Sequence, residues 1–335
     1  MIGYGKQSIG KDDIKSVVRT LNSSNLTQGN EVTNFEYDLS KYFGVKYVSV
    51  VSNGTAALHL TALALGWKKD DVIITTPITF LSSATVAYLV GAKIDLVDID
   101  FKNYNLDPIL LETKLKIFKK KGQKIKAVIA VDYAGHPCDW KSLRKLADKY
   151  KFVLINDNCH AMGAEYNNSK KYAGRYADIV TQSYHPVKNF TTGEGGAVLT
   201  NSKAVDKKIK LLRSHNMIKN HITSRTGPWL YHINEIGFNY RLTDIQCALG
   251  ITQLKKLNNF VKKRQSLASK YDYAFINDER FIIPKINLKK SRHAYHLYPI
   301  QIKFENLKIS KKKFFYKMLE KGINLQVHYF PIHLQ

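Results

Sequence analysis

Seven short runs of apolar and β-branched residues fall within the first 200 positions, and they constrain the fold more than any other feature. They are YVSVVS (47–52), VIITT (72–76), KIDLVD (93–98), AVIAVD (127–132), FVLIND (152–157), DIVTQS (178–183) and GAVLT (196–200). Several are apolar without alternation, as expected of strands covered on both faces. Helical patterns lie between the earlier runs, including Ala56 to Leu65 and Lys141 to Tyr150. Asp107 followed by Pro108 predicts another helix, with the aspartate as cap and the proline in the first turn. Strands that alternate with helices predict an α/β protein with a mainly parallel sheet.

Beyond residue 200 the texture changes. Lys203 to Arg213 reads as a helix, followed by a polar loop through Trp229. Thr243 and Gln246 form a capping box for a helix to about Leu257. A Lys-rich helix, a strand-like LYPIQIKF (297–304), a helix near 310–321 and a second strand-like stretch, LQVHYF (325–330), predict a smaller α/β unit. The expected division is a large domain over 1–250 and a small one over 251–335. A chain of 335 residues with 44% hydrophobic content can fill both cores.

Cys138, Cys159 and Cys247 show neither pairing nor zinc spacing, which predicts free thiols, no metal and a reducing, cytoplasmic setting. The first residues, MIGYGKQSIGKDDIKSVV, lack the apolar core of a secretory signal, and no apolar run is long enough to span a bilayer. The formal charge of +25 raises the question of nucleic acid. Its lysines, however, are scattered in short runs such as Lys68-Lys69, Lys119 to Lys121 and Lys289-Lys290, the pattern of solvated helix faces, and no nucleic-acid-binding module is present. A positive field of this kind favours anionic substrates.

Ligands of doubly wound sheets gather at the C-terminal ends of the strands, and the polar residues here are placed accordingly. The first run leads into SNGTAAL, where Gly54, Thr55 and Ala56 open an apolar helix whose amides could hold a phosphate. A plain N-cap at Thr55 explains the same turn. The run at 152–157 ends in NDNCHA, with Asp157 and His160; that at 178–183 ends at Ser183, and Lys188 follows in SYHPVKNFTTGEGG. Taken singly, Asp157 could be a turn residue, His160 and Phe80 core, and Lys188 surface. Together they match the needs of pyridoxal phosphate: an amine for its aldehyde, a carboxylate for its ring nitrogen, hydroxyls and amides for its phosphate, and a flat apolar partner.

At this point the residues resemble a known family, the DegT/DnrJ/EryC1/StrS sugar aminotransferases. The segments that carry the likeness are LTQGN (26–30), SNGTAALHL, TTPITF, VDYAGHPCD, NDNCHAMGAEY, SYHPVKNFTTGEGGAV, RSHNM, GFNYRLTDIQCALG and QVHYFPIHLQ. The resemblance implies the aspartate-aminotransferase-like type I fold of pyridoxal-phosphate enzymes. It implies Lys188 as the Schiff-base lysine, Asp157 as partner of the ring nitrogen and His160 against the ring and its 3-hydroxyl. Gly54, Thr55, Ala56 and Ser183 would hold the phosphate and Phe80 would stack on the ring. Asn239 would reach the neighbouring subunit's cofactor, which makes the protein a homodimer with shared active sites. Family members normally continue past the HLQ-like segment, so the small domain would be incomplete at Gln335.

The presence of Lys188, where the dehydratase branch carries histidine, favours amino transfer. Segments such as VDYAGHPCD and HAYHLYPIQI are most similar to the branch of pseudaminic-acid biosynthesis, which implies L-glutamate as donor and a UDP-linked 4-keto-6-deoxy-N-acetylhexosamine as acceptor. The alternatives are another nucleotide 4-keto sugar, or a sensor that binds the cofactor without turnover. On the sugar side the candidates are Thr27, Gln28, Arg241 and His328, although His328 reads first as a strand residue packed in the small domain. Tyr133 and His136 are open between loop structure and the sugar pocket.

Overall fold

The computed structural model describes residues 1–219, 227, 229–284 and 291–335. Its centre is a seven-stranded sheet. The strands are β1 (Tyr47–Val51), β2 (Val72–Thr75), β3 (Lys93–Leu96), β4 (Ile125–Val131), β5 (Val153–Asp157), β7 (Ile179–Ser183) and β8 (Gly196–Thr200), with a two-residue β6 (Glu165–Tyr166) outside it. All seven coincide with the runs in the sequence. Their order is β1-β8-β7-β5-β4-β2-β3, and β8 runs antiparallel to both neighbours while the rest are parallel.

The lack of alternation has a direct cause. Val128, Ala130 and Leu154 point into one hydrophobic cluster, which Phe35 and Leu39 of α2 (Asn30–Phe43) and Leu143 of α6 (Trp140–Tyr150) complete. Their neighbours Ala127, Ile129 and Ile155 point into the other, closed by Leu58 of α3 (Gly54–Ala64), Val86 of α4 (Ser82–Leu89) and Ile209 of α8 (Lys203–Leu212). Each strand is buried from both sides, and hydrophobic burial of this kind is the main stabilising term of the domain.

Helix ends follow local chemistry. Asp107 accepts the amides of Ile109 and Leu110 at 2.7 and 3.3 Å and starts α5 (Pro108–Lys120). Thr243 and Gln246 close the predicted box, with Gln246 N–H donating to Thr243 Oγ1 at 3.2 Å and Thr243 N–H to Gln246 Oε1 at 3.1 Å. The helix they open, α9, runs from Asp244 to Phe275 without a break, past the predicted end near 257 and through residue 250. It carries the α1 helix (Lys11–Leu21): buried Asp13 accepts Lys256 Nζ at 2.6 Å and Thr252 Oγ1 at 2.6 Å.

The last third departs most from expectation. LYPIQIKF contributes a strand of two residues, Gln301–Ile302, paired with Phe281–Ile282. LQVHYF forms no strand at all; its backbone is irregular. The helix near 310–321 is present as Lys311–Glu320, capped by Ser310. The loop predicted through Trp229 and the run Lys289-Lys290 lie largely outside the described residues. No described helix is long and apolar enough to cross a membrane.

Candidate active site

Four strand ends converge on a cavity of about 600 Å³. β1 leads into Asn53, whose side chain accepts Ala56 N–H at 2.8 Å and caps α3. The cap is thus Asn53 and not Thr55, which leaves Thr55 in the first turn, on the cavity wall. The amides of Gly54 and Thr55 have no acceptor among the described residues, so the positive end of α3 opens into the cavity. Gly54 is required by close approach: a Cβ there would stand 2.9 Å from Ser183 Cβ at the end of β7. Amides, dipole and the Ser183 hydroxyl form a cradle for an anion.

Asp157 ends β5 and is 5% exposed. Ser83 Oγ lies 2.8 Å from its Oδ2 and donates to it, and Cys159 N–H donates to Oδ1 at 3.2 Å. Thr79 stands 3.1 Å from Ser83 and completes the chain of hydroxyls. Lys188 sits in the turn after β7, its N–H bonded to His185 O at 2.9 Å. Burial lowers the pKa of its amine, against the opposing pull of Cys159 and Asp157. A partly buried lysine beside a carboxylate, with no ion pair closing it off among the described residues, is the arrangement expected of a reactive amine and not of a surface cation.

His160 is 4% exposed and held neutral, first by burial and then by Lys188 and His328. Its ring lies 4.3 Å from that of His296 and 6.2 Å, nearly parallel, from that of Tyr329. Phe80 is about half exposed, which excludes a core role, and its edge meets Tyr329 at 6.2 Å across the cavity mouth. His328 lines the cavity and stacks on Tyr4 at 4.9 Å; it is no packed strand residue. Tyr4 belongs to an N-terminal segment tied down by Ile2 N–H to Gly322 O at 2.6 Å.

Lys188, Asp157, His160, Ser183, Gly54, Thr55, Ala56, Phe80 and His328 therefore share one cavity. The remaining candidates do not line it. Thr27 and Gln28 are exposed and fixed elsewhere, through the bridge of Thr27 to Thr243 and the grip of buried Asp244 on Gly29 N–H at 2.8 Å. Asn239 is exposed, bridged to Ser214, and Arg241 is bridged to Val51. His136 is loop structure, its Nδ1 3.2 Å from Asn105 Nδ2, while Tyr133 is buried and donates its hydroxyl to His328 O.

Sequence reasoning missed Asn53, Ser83, Tyr4, Tyr240, His296 and Tyr329. An Asn directly before an apolar helix is a cap signal as good as Thr55. The other five come from five separate segments, with no shared spacing to betray them.

The residues present fit pyridoxal phosphate: open amides and a hydroxyl for the phosphate, a fixed carboxylate for the ring nitrogen and an amine of lowered pKa for the aldehyde. Among the described residues no cluster of His, Cys, Asp and Glu could hold a metal. Comparison with known proteins agrees. The chain is 41% identical over 334 residues to the UDP-4-amino-4,6-dideoxy-N-acetyl-beta-L-altrosamine transaminase of Campylobacter jejuni, covering 99% of this chain and 85% of the relative. The solved structure of Helicobacter pylori PseC, an aminotransferase involved in the biosynthesis of pseudoaminic acid, superposes with a TM-score of 0.89 at 35% identity, over 99% of this chain and 85% of that one. The PLP-form structure of Spr1654 from Streptococcus pneumoniae does so with a TM-score of 0.87 at 26% identity, over 100% and 86%. Matched over residues 7–335, the chain belongs to the DegT/DnrJ/EryC1/StrS aminotransferase family, and its cofactor is pyridoxal phosphate.

Proposed function

We propose that this enzyme moves the amino group of L-glutamate to C4 of UDP-2-acetamido-2,6-dideoxy-β-L-arabino-hexos-4-ulose, the acceptor reaction of pseudaminic-acid biosynthesis. The observation that carries the reading is Lys188 beside Asp157 in one cavity, in a chain 41% identical to a transaminase named for the altrosamine product. The reaction would take place in the cytoplasm, where the three free cysteines stay reduced.

When bound, pyridoxal phosphate supplies an aldehyde that exchanges amines and a ring that takes up electrons. Lys188 holds and moves the proton. With its pKa lowered by burial, more of the amine is neutral at a given pH and able to accept one at Nζ. Asp157, fixed by Ser83 and Cys159, offers its carboxylate to the ring nitrogen. Gly54, Thr55 and Ser183 bind the phosphate, and Phe80 and Tyr329 narrow the mouth against water. Asn239, exposed on its own subunit, would serve the partner's cofactor in a homodimer of C2 symmetry.

The test is absorbance of the purified holoenzyme before and after glutamate, followed by the keto sugar. The visible band should disappear with glutamate and return with the sugar. Borohydride reduction and peptide mapping should place the cofactor on Lys188. Lys188→Arg should lose turnover by at least about a thousandfold while still binding cofactor; an active Lys188→Arg enzyme would sink the mechanism. A band unmoved by glutamate would favour a cofactor-binding sensor.

A further inference from the structure

Tyr329 reaches the cavity from irregular backbone, and its hydroxyl lies 3.1 Å from His160 Nε2. The other His160 nitrogen, Nδ1, accepts Ala134 N–H at 3.3 Å. A neutral imidazole carries a single N–H. With Nδ1 accepting, that proton is on Nε2, and Nε2–H donates to Tyr329 Oη. The phenol must then send its own proton elsewhere. No described residue receives it, and Tyr329 lines the cavity.

The surroundings indicate what the proton meets. Burial keeps His160, His296 and His328 neutral, with Lys188 as a further cause in each case. His296 makes no side-chain hydrogen bond among the described residues, and its Nδ1 is buried without a partner. Arg264, which packs here, donates Nη1 to the carbonyls of Tyr295 and His296 at 3.1 Å each. Burial also raises the Tyr329 pKa, so the phenol keeps its proton. Arg264 does not line the cavity and commits Nη1 to those two carbonyls, so the face presented here by the imidazoles and the phenol is neutral: poorly suited to a carboxylate, whose burial calls for an opposite charge, and well suited to carbonyl and hydroxyl oxygens.

We propose that Tyr329 is a specificity-determining donor: its hydroxyl, held as an acceptor by His160 Nε2–H, hydrogen-bonds an uncharged oxygen of the sugar and has no part in binding the amino donor. The assignment rests on the reading that glutamate and a nucleotide-linked keto sugar use this cavity in turn.

The two half-reactions separate these roles. In single turnovers of the holoenzyme, Tyr329→Phe should leave the glutamate step within about twofold and lower kcat/KM for the sugar about tenfold. His160→Gln, whose amide can still donate to Tyr329, should keep the wild-type ratio between the two steps. His160→Leu should lower the ratio as Tyr329→Phe does, and the double variant should lower it no further. If the His160 variants lose the cofactor, Tyr329→Phe decides alone. Equal losses on both half-reactions, or no loss on the sugar, overturn the proposal. Nitrogen NMR of His160 in the wild type gives a check without variants: a proton on Nε2 supports the relay, and one on Nδ1 overturns it. A wild type that rejects the UDP sugar but accepts another nucleotide 4-keto sugar overturns the proposed function, and Tyr329 is then judged by the same ratio on the accepted sugar. A wild type that reacts with glutamate and with no keto sugar overturns both.

Discussion

The two walls of the cavity are built by different means. On the cofactor side, Asp157 and Ser183 end strands, and the neighbouring strand β8 is buried along its whole length. On the other side, Tyr4, His328 and Tyr329 stand on irregular segments, and the helices at Phe304–Leu307 and Lys311–Glu320 bury no residue. The groups that must be held to a fraction of an ångström sit on the rigid sheet. Those that face them across the cavity sit where packing is sparse. Under the proposed function, the chemistry is thereby separated from the choice of substrate.

That contrast can be broken most sharply at Asp157. Asp157→Ala should reduce both half-reactions about a thousandfold, roughly 4 kcal/mol of barrier, because the ring nitrogen loses its partner whichever substrate is present. Single-turnover rates check this, and a loss confined to the sugar step would place Asp157 on the other wall. Packing gives the next largest effect. Leu154→Ala, at a fully buried position of β5, should cost about 2–5 kcal/mol. Leu319→Ala, 45% exposed, should cost about 0.5 kcal/mol or less. Denaturant midpoints of the two variants make the comparison directly.

The third prediction concerns pH. Burial pushes the His136 pKa down to about 4, with Asp100 opposing, and its ring faces buried His293 at 5.5 Å. A histidine kept neutral by folding leaves the unfolded chain the better proton binder. Its contribution is therefore full above about 6.5 and lost as pH falls toward about 4, a change of about 3 kcal/mol. Thermal melts across this window should show the loss, and His136→Gln should make it shallower by this one group's share, since buried His160, His293 and His296 are shifted the same way. A melting curve unchanged between pH 6.5 and 4 would contradict the neutral assignment.

The same contrast governs what could be read from the sequence. All seven strands were legible because both faces of the sheet are covered, so Val128 and Ile129 are equally buried although they point into opposite clusters. Lys188 and Asp157 stood out for the same reason, since Asp157 closes one unmistakable strand and Lys188 lies in the turn after another. LQVHYF was misread because alternation of apolar residues also arises where a chain merely crosses a cavity, with Tyr329 turned inward and Phe330 out. Tyr4 and His296 carry no local signal, because what brings them together is a docking of segments some 290 residues apart. Asn239 comes from the resemblance and Thr27, Gln28 and Arg241 from the expectation of a sugar side, and the chain does not bring them to its cavity.

The bond from Ile332 N–H to Pro77 O at 3.0 Å anchors the segment carrying Tyr329 beside the loop that carries Phe80. The order of synthesis follows from it. A ribosome delivers Lys188 and Asp157 long before Tyr329, and a sheet that folds as it emerges presents its phosphate cradle first. The cofactor can then act as a folding ligand, binding the early wall and drawing the chain toward the native state by mass action. On the proposed assignment, the nascent protein can hold its cofactor before it can choose a sugar.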